Sequence, residues 1–450
     1  MRCSSQQLLR AVILLALAGC GASEEAPAGG VAPSCLGGLA TLASTSELTL
    51  VEGPVDCASP DASEVRCGIF KARVETPAPS SGPSDDPSLD DTALPIPVLI
   101  TVRHRPDVAT CSARWIALDA GGFGAGYAPS FGEVPPGHVV PGGGGYGDDL
   151  IRAYNDAGYV TADLSYDCPE NEGGPCARAE LAGWLPPAMG GGTQVGRAWY
   201  RDTDRTGFTG SATRSRAFYA WAHAQGGGRP ICAHAQSSGS GRLNTTLTRF
   251  PTAHLFDTIV FDGGPVFLHP PWLCGIDEGP LGPRPQGFLP SQVFAQTWDC
   301  AMSPAPNEKT CAFRACKDAA YAGNEEAFLR ESVFLHAEHR SFPELDVSVV
   351  FGGADDSDAP QSAVLWLTGY AFGATTLAPL EARSITVRQG FCAAATGSYQ
   401  TSRSCQDWAA VTGAADLGYD ARLVPAPHET ASDPGGSEVL RERMLATCEP

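Results

Sequence analysis

The chain has 450 residues, 43% of them apolar, enough to bury a large core in one elaborated domain or two. With 50 acidic against 30 basic side chains, the formal charge is -20 and no Lys/Arg-rich run offsets it, so nucleic acid is not an expected partner. Beyond the N-terminus no apolar stretch approaches the ~20 residues that span a bilayer as a helix.

Residues 1–20 stand apart. Arg2 and Arg10 flank a short start, residues 11–18 form an apolar run, and Leu17-Ala18-Gly19-Cys20 follows. Charge, apolar run and box in this order resemble the signal peptide and lipobox of bacterial lipoproteins. The resemblance implies export and acylation of Cys20 as the first mature residue, with the membrane as a partner through that lipid. Two or more acyl chains there would anchor the protein stably. An ordinary secretory signal would also export it. Export agrees with the cysteine content. Once Cys3 leaves with the signal and Cys20 takes lipid, fourteen of the 16 remain, an even number for which disulfides are expected. Close pairs are Cys57/Cys67, Cys168/Cys176, Cys311/Cys316 and Cys392/Cys405. No metal site is expected, because no Cys-x-x-Cys pair occurs and the 9 histidines do not cluster with cysteines at ligand spacing.

Residues 21–34, rich in Gly, Ala, Pro and Glu, read as a tether. Residues 35–92 read as a disulfide-held lead-in, with a strand over 68–75 and an exposed Pro/Ser/Asp loop over 77–91. A core is expected in two halves, 93–265 and 344–450, separated by an inserted cap at 266–343. Strands are predicted over 96–104, 114–119, 159–164, 230–235, 256–261, 345–351 and 420–424. Helices are predicted over 149–157, 211–225, 242–250 and 436–448. The strands at 68–75 and 96–104 form a predicted hairpin at the sheet edge. Alternation of this kind implies an α/β class, a mostly parallel sheet with helices on both faces. Two long Gly/Pro-rich loops, 127–147 and 168–210, break the rhythm. The run Pro141-Gly-Gly-Gly-Gly-Tyr-Gly lacks the Lys-Ser/Thr and the preceding strand of a phosphate loop. The cap is rich in Trp, Pro and Cys and helical over 319–336. Its Trp272 and Trp298 are candidates for shaping a substrate pocket.

Chemistry concentrates at residues 230–250. An apolar run ends at Ala235, followed by Gln236-Ser237-Ser238-Gly239 and a helical segment. Strand, sharp turn and helix put Ser237 at the tip of a nucleophile elbow. Such a turn crowds the positions two before and two after the nucleophile, where only small residues fit, and Ala235 and Gly239 satisfy this. Ser238 and Ser240 fit less well, because they place Gln236 or Ser238 at the crowded position.

A serine hydroxyl at its free pKa is a poor nucleophile and needs a base oriented by a third group. The acid is expected just past the strand ending at Phe351, in Gly352-Gly353-Ala354-Asp355-Asp356-Ser357-Asp358. Asp355 is the first choice and Asp356 the second; a helix cap, a solvated turn or a calcium loop are the other uses of such a segment. The base is expected between the last strand and the last helix, where His428 stands. His234, inside the nucleophile strand, is expected to pack under the elbow, and His336 and His339 to be solvated at the cap's end. Oxyanion donors are expected from the Ser238 N–H and from Gly122 or Phe123, in the Gly121-Gly122-Phe123-Gly124 stretch after strand 114–119.

Elbow, Ser…Asp…His order, Gly-rich loop and cap placement together resemble the α/β-hydrolase superfamily over residues 96–448. That resemblance implies an α/β-hydrolase fold and a serine hydrolase without a cofactor, acting on a small-molecule or peptide ester or amide. Arg66-Cys67-Gly68 with the following strand is similar to the lead-in of secreted tripeptidyl aminopeptidase-like hydrolases. Ala120-Gly121-Gly122-Phe123-Gly124 differs from that group's Gly-Gly-Pro-Gly, and Asp163-Leu164-Ser165-Tyr166 from its Asp-x-Arg-Gly. Aminopeptidase activity is therefore an alternative to ester or amide hydrolysis in general. A catalytically silent binding lipoprotein on the same fold is the rival from another class.

Overall fold

The structure is a computed structural model. It describes residues 38–57, 64–74, 96–119, 146–166, 180–181, 184, 203–265, 268–276, 280–281, 329, 331–337, 339–352, 370–371, 375–376, 381–389, 417–419 and 434–449. The strands are β1 (Leu48–Asp56), β2 (Arg66–Val74), β3 (Ile96–His104), β4 (Trp115–Asp119), β5 (Val160–Ser165), β6 (Ile231–Gln236), β7 (Phe256–Asp262), β8 (Ser341–Phe351), β9 (Tyr370–Ala371), β10 (Thr375–Thr376), β11 (Glu381–Gln389) and β12 (Leu417–Tyr419). The helices are α1 (Tyr146–Asp156), α2 (Thr203–Gln225), α3 (Ser238–Arg249), α4 (Pro270–Leu273), α5 (Val333–His336) and α6 (Pro434–Thr447).

Ten strands form one sheet in the order β1-β2-β3-β5-β4-β6-β7-β8-β11-β12, and β9 and β10 pair separately. From β5 to β12 every pairing is parallel, while β1, β2, β3 and β5 pair antiparallel. Parallel neighbours need a crossover, and α1 between β4 and β5 and α3 between β6 and β7 supply two of them. Both faces of the parallel part are therefore covered and its strands are buried throughout, as in β4, β5 and β6.

Side-chain alternation sorts the two faces. Ile116, Leu118, Cys232, Val260 and Val350 point to one side and pack with Leu150, Ile151 and Tyr154 of α1 and Val439, Leu440 and Met444 of α6. Ala117, Ala233, Ala235, Ile259, Phe261, Val347 and Val349 point to the other, against Phe218, Tyr219 and Trp221 of α2 and Leu243 and Leu247 of α3. The period of two along each strand makes this division, and the small alanines of β4 and β6 let the α3 side sit close. Each fully buried Leu, Ile, Val or Phe contributes about 1.5–3 kcal/mol of hydrophobic stabilisation.

Several elements depart from the sequence expectation. Helix α2 begins at Thr203 rather than at 211, so its first two turns occupy part of the expected loop. Gly207 and Gly210 lower the local helix propensity there, and tertiary context overrides it. Glu331 holds the second turn of this helix, accepting from Thr209 N–H at 2.8 Å and Thr209 Oγ1 at 3.0 Å. Strand β1 pairs outside β2, so the predicted edge hairpin of β2 and β3 lies one strand in from the edge. Cys57 and Cys67, one of the pairs close in sequence, are bonded and close the β1–β2 connection. Strand β11 was not expected. Its sequence Glu-Ala-Arg-Ser-Ile-Thr-Val-Arg-Gln is polar, and the parallel pairing with β8 organises it. The predicted strand at 420–424 lies outside the described residues, and β12 stands just before it.

A second disulfide, Cys232–Cys448, joins the start of β6 to the end of α6 across 216 residues of chain. Cys111 and Cys274 are also disulfide-bonded. The other predicted close pairs lie outside the described residues. Trp272 is 1% exposed and belongs to the core cluster, packed on His269 at 4.5 Å between ring centroids, so it is a core side chain. Among the described residues, no helix is long and apolar enough to cross a membrane.

Candidate active site

Strand β6 ends at Gln236 and α3 begins at Ser238, leaving Ser237 alone in the turn between them. Its backbone angles are φ 50° and ψ -121°, and among the described residues it is the one non-glycine with positive φ. A side-chain-bearing residue held there costs on the order of 1–3 kcal/mol and persists only where its surroundings impose it. The surroundings do so. Ser237 N–H donates to the Asp262 carbonyl at 2.9 Å, Gly241 N–H donates to the Ser237 carbonyl at 3.2 Å, and the Ser240 hydroxyl donates to the same carbonyl. This is the α/β-hydrolase fold. A serine at the C-terminal end of a central parallel strand, in a strained turn that runs directly into a helix, has the backbone form of that fold's nucleophile elbow.

A close approach beside the turn comes from a glycine outside the strand-turn-helix segment. Gly264, in the segment after β7, lies against α3, and a methyl group on it would overlap Ser240 Oγ and Cβ. Ser237 and Ser238 are 8% and 6% exposed. The Ser238 N–H belongs to the first turn of α3, where the early N–H groups have no partner within the helix and the dipole favours negative charge.

Below the elbow lies a polar network that the sequence reading missed. The fully buried Asp119 carboxylate, at the end of β4, accepts from Ser215 Oγ at 2.7 Å, Tyr219 OH at 3.1 Å and Arg242 Nη2 at 2.6 Å. Arg242 is itself fully buried, lies over the Tyr166 ring at 5.0 Å and reaches Ser238 Oγ at 3.4 Å through Nη1. Burial and the adjacent Asp119 charge hold the Tyr219 phenol well above its usual range, so it remains a donor. The signals were an Asp closing an apolar strand and an Arg inside the elbow helix, which no local pattern connects.

On the opposite face of the sheet, His234 packs under the elbow as expected. It is fully buried, with Tyr154 OH 3.2 Å from Nδ1 and Asp262 Oδ2 3.9 Å from Nε2. Burial lowers its pKa to about 3, so the imidazole is neutral across the physiological range and the Asp262 contact is not an ion pair there. His336 is exposed, as expected, and His339 is half-buried, its N–H donating to the Thr248 carbonyl at 3.0 Å. Among the described residues no group of His, Cys, Asp and Glu has the arrangement of a metal site.

The remaining candidates, Asp355, Asp356, His428, Gly122, Phe123, Cys20 and Trp298, lie outside the described residues. The elements that flank them in sequence are described. β4, ahead of Gly122 and Phe123, is the immediate neighbour of β6. β8, ahead of the two aspartates, lies two strands from β6 on the other side, and α6 follows His428 and is bonded to β6 through Cys448.

No protein-family model matches this sequence, and no curated protein matches it significantly. Among solved structures it is similar to a prolyl endopeptidase at 12% identity over 73% of this chain and 35% of that one, with a TM-score of 0.36. Prolyl oligopeptidase B of Galerina marginata matches at 13% identity over 78% of this chain and 37% of that one, with a TM-score of 0.38. A cold-adapted esterase from an Arctic intertidal metagenomic library matches at 10% identity over 84% of this chain and 94% of that one, with a TM-score of 0.35. The chain spans about a third of the length of the two peptidases, at 35% and 37%.

Proposed function

We propose that the protein is an exported, lipid-anchored serine hydrolase that cleaves an ester or amide through an acyl-enzyme. The observation that carries this reading is the Ser237 backbone, held at φ 50° between a central strand and a helix. A chain gains nothing structural from a serine in that conformation, whereas a nucleophile projected above the sheet requires it.

In the reaction, His428 Nε2 takes the hydroxyl proton as Ser237 Oγ bonds to the substrate carbonyl carbon. Asp355 or Asp356 holds the imidazole and stabilises its charged form. The Ser238 N–H, with that of Gly122 or Phe123, receives the oxyanion. The carbonyl–leaving-group bond then breaks and the proton passes from His428 to the departing alcohol or amine. Water then repeats the sequence: His428 removes its proton as the water oxygen bonds to the acyl carbon, the Ser237–carbonyl bond breaks, the proton passes from His428 to Ser237 Oγ, and the acid leaves. Acylated Cys20 would hold the enzyme at a bacterial membrane. These chain groups supply every proton transfer, so the mechanism calls on no cofactor.

The test is fluorophosphonate labelling of a soluble form starting at Ala22, beside Ser237→Ala and His428→Ala. Labelling of the parent that vanishes in the first variant and collapses in the second is the expected result. A folded parent that stays unlabelled would overturn the proposal and favour the silent binding protein.

A further inference from the structure

We infer that the buried Arg242–Asp119 pair is a positioning device for the oxyanion site, setting the Ser238 end of α3 against the end of β4. This rests on the hydrolase reading, and it assigns a role to two residues that take no part in the proton transfers.

The geometry is specific. Asp119 is the last residue of β4, immediately before the Ala120-Gly121-Gly122 stretch, and Arg242 lies one helical turn after Ser238. Their 2.6 Å contact therefore ties the helix turn that carries the Ser238 N–H to the end of β4. The carboxylate also binds Ser215 and Tyr219 of α2, so three elements meet on one side chain. The guanidinium is fixed from its other sides by the Tyr166 ring and the Ser238 hydroxyl. Both charges are fully excluded from water. A pair of this kind is a poor source of stability, since apolar residues of similar volume commonly do as well. What it provides is direction: a short charge-assisted bond has one geometry, whereas apolar packing tolerates slippage. An oxyanion site needs that, because displacing donors by about 1 Å costs on the order of 100-fold in rate.

The test uses Arg242→Lys and the double variant Asp119→Asn/Arg242→Met, which leaves an acceptor for Tyr219 and Ser215 but no buried charge. Fluorophosphonate labelling of the parent comes first, because a parent that does not label defeats the hydrolase reading independently of this inference. With labelling established, three quantities are measured: kcat and KM on an aryl ester, the inhibition constant of an arylboronic acid that forms a tetrahedral adduct, and the melting temperature. The double variant is expected to melt near the parent and to lose about 10–100-fold in kcat, with KM within about two-fold. Boronate affinity should fall by the same factor as kcat/KM, because both report the tetrahedral state. Arg242→Lys, which keeps the charge and loses the fork, should recover part of the loss. Unchanged kcat and boronate affinity in a folded double variant would overturn the inference. So would a double variant that fails to fold together with an Arg242→Lys protein of full activity, since the pair would then be structural only.

Discussion

Replacing Gly264 by alanine tests the elbow without touching a reacting atom. The added methyl would meet Ser240 Oγ and Cβ well inside the 3.0 Å limit that real Cβ contacts respect, and the Ser237 carbonyl stands at 3.7 Å. Ser240 cannot swing aside. It is fully buried in the first turn of α3, its Cβ is fixed by the helix, and its hydroxyl is committed to the Ser237 carbonyl. The strand-to-helix turn must therefore move by roughly 1 Å, and overpacking of this kind costs about 1–3 kcal/mol. A shift of that size at the nucleophile also costs on the order of 100-fold in kcat/KM. Urea unfolding and ester hydrolysis of Gly264→Ala measure the two effects separately. Ser240→Gly in the same chain should restore much of both, because it removes the two atoms that clash. A Gly264→Ala protein with parental stability and rate would refute the claim that this packing sets the elbow.

Four further outcomes are expected. Ser237→Gly should be more stable than Ser237→Ala by about 1 kcal/mol in denaturant titrations, because glycine adopts positive φ without the Cβ penalty; equal stabilities would remove the strain argument. Cys232→Ala/Cys448→Ala should lose about 2–5 kcal/mol, since the bond closes a loop of 216 residues, and its unfolding midpoint under oxidising conditions measures this. For pH, burial lowers His234 and His269 each to about 3. The unfolded chain binds those protons below pH ~6.5 while the folded chain refuses them, so stability falls as pH drops from ~6.5 toward 3, with a slope of about 1.4 kcal/mol per pH unit for each histidine. Asp148, raised by burial to about 7, has the opposite sign: its folded form keeps a proton that the unfolded form releases, so stability is lost as pH rises from ~4 through 7. Asp148→Asn should accordingly gain more over the parent at pH 8 than at pH 5, and an equal gain at both would place the carboxyl in solvent.

The sequence by itself determined the parts of this protein whose causes are local. Ile116 and Leu118 against Ala117, or Cys232 against Ala233 and Ala235, carry the two-sided pattern of a covered parallel strand because side chains alternate along it. Ser237 was found for the same reason: small residues on either side of a serine between strand and helix are a property of a few adjacent positions. The pairing of polar β11 with β8, the placement of β1 outside β2, and the early start of α2 could not be read that way. Each depends on a partner far along the chain, and local propensity there points weakly or in the wrong direction. The same holds beneath the nucleophile. Asp119 and Arg242 are 123 positions apart, and Cys232 and Cys448 are 216 apart. Only the folding of the sheet brings each pair to bonding distance, because a contact between charges or sulfurs leaves no periodic trace in the segments that carry it.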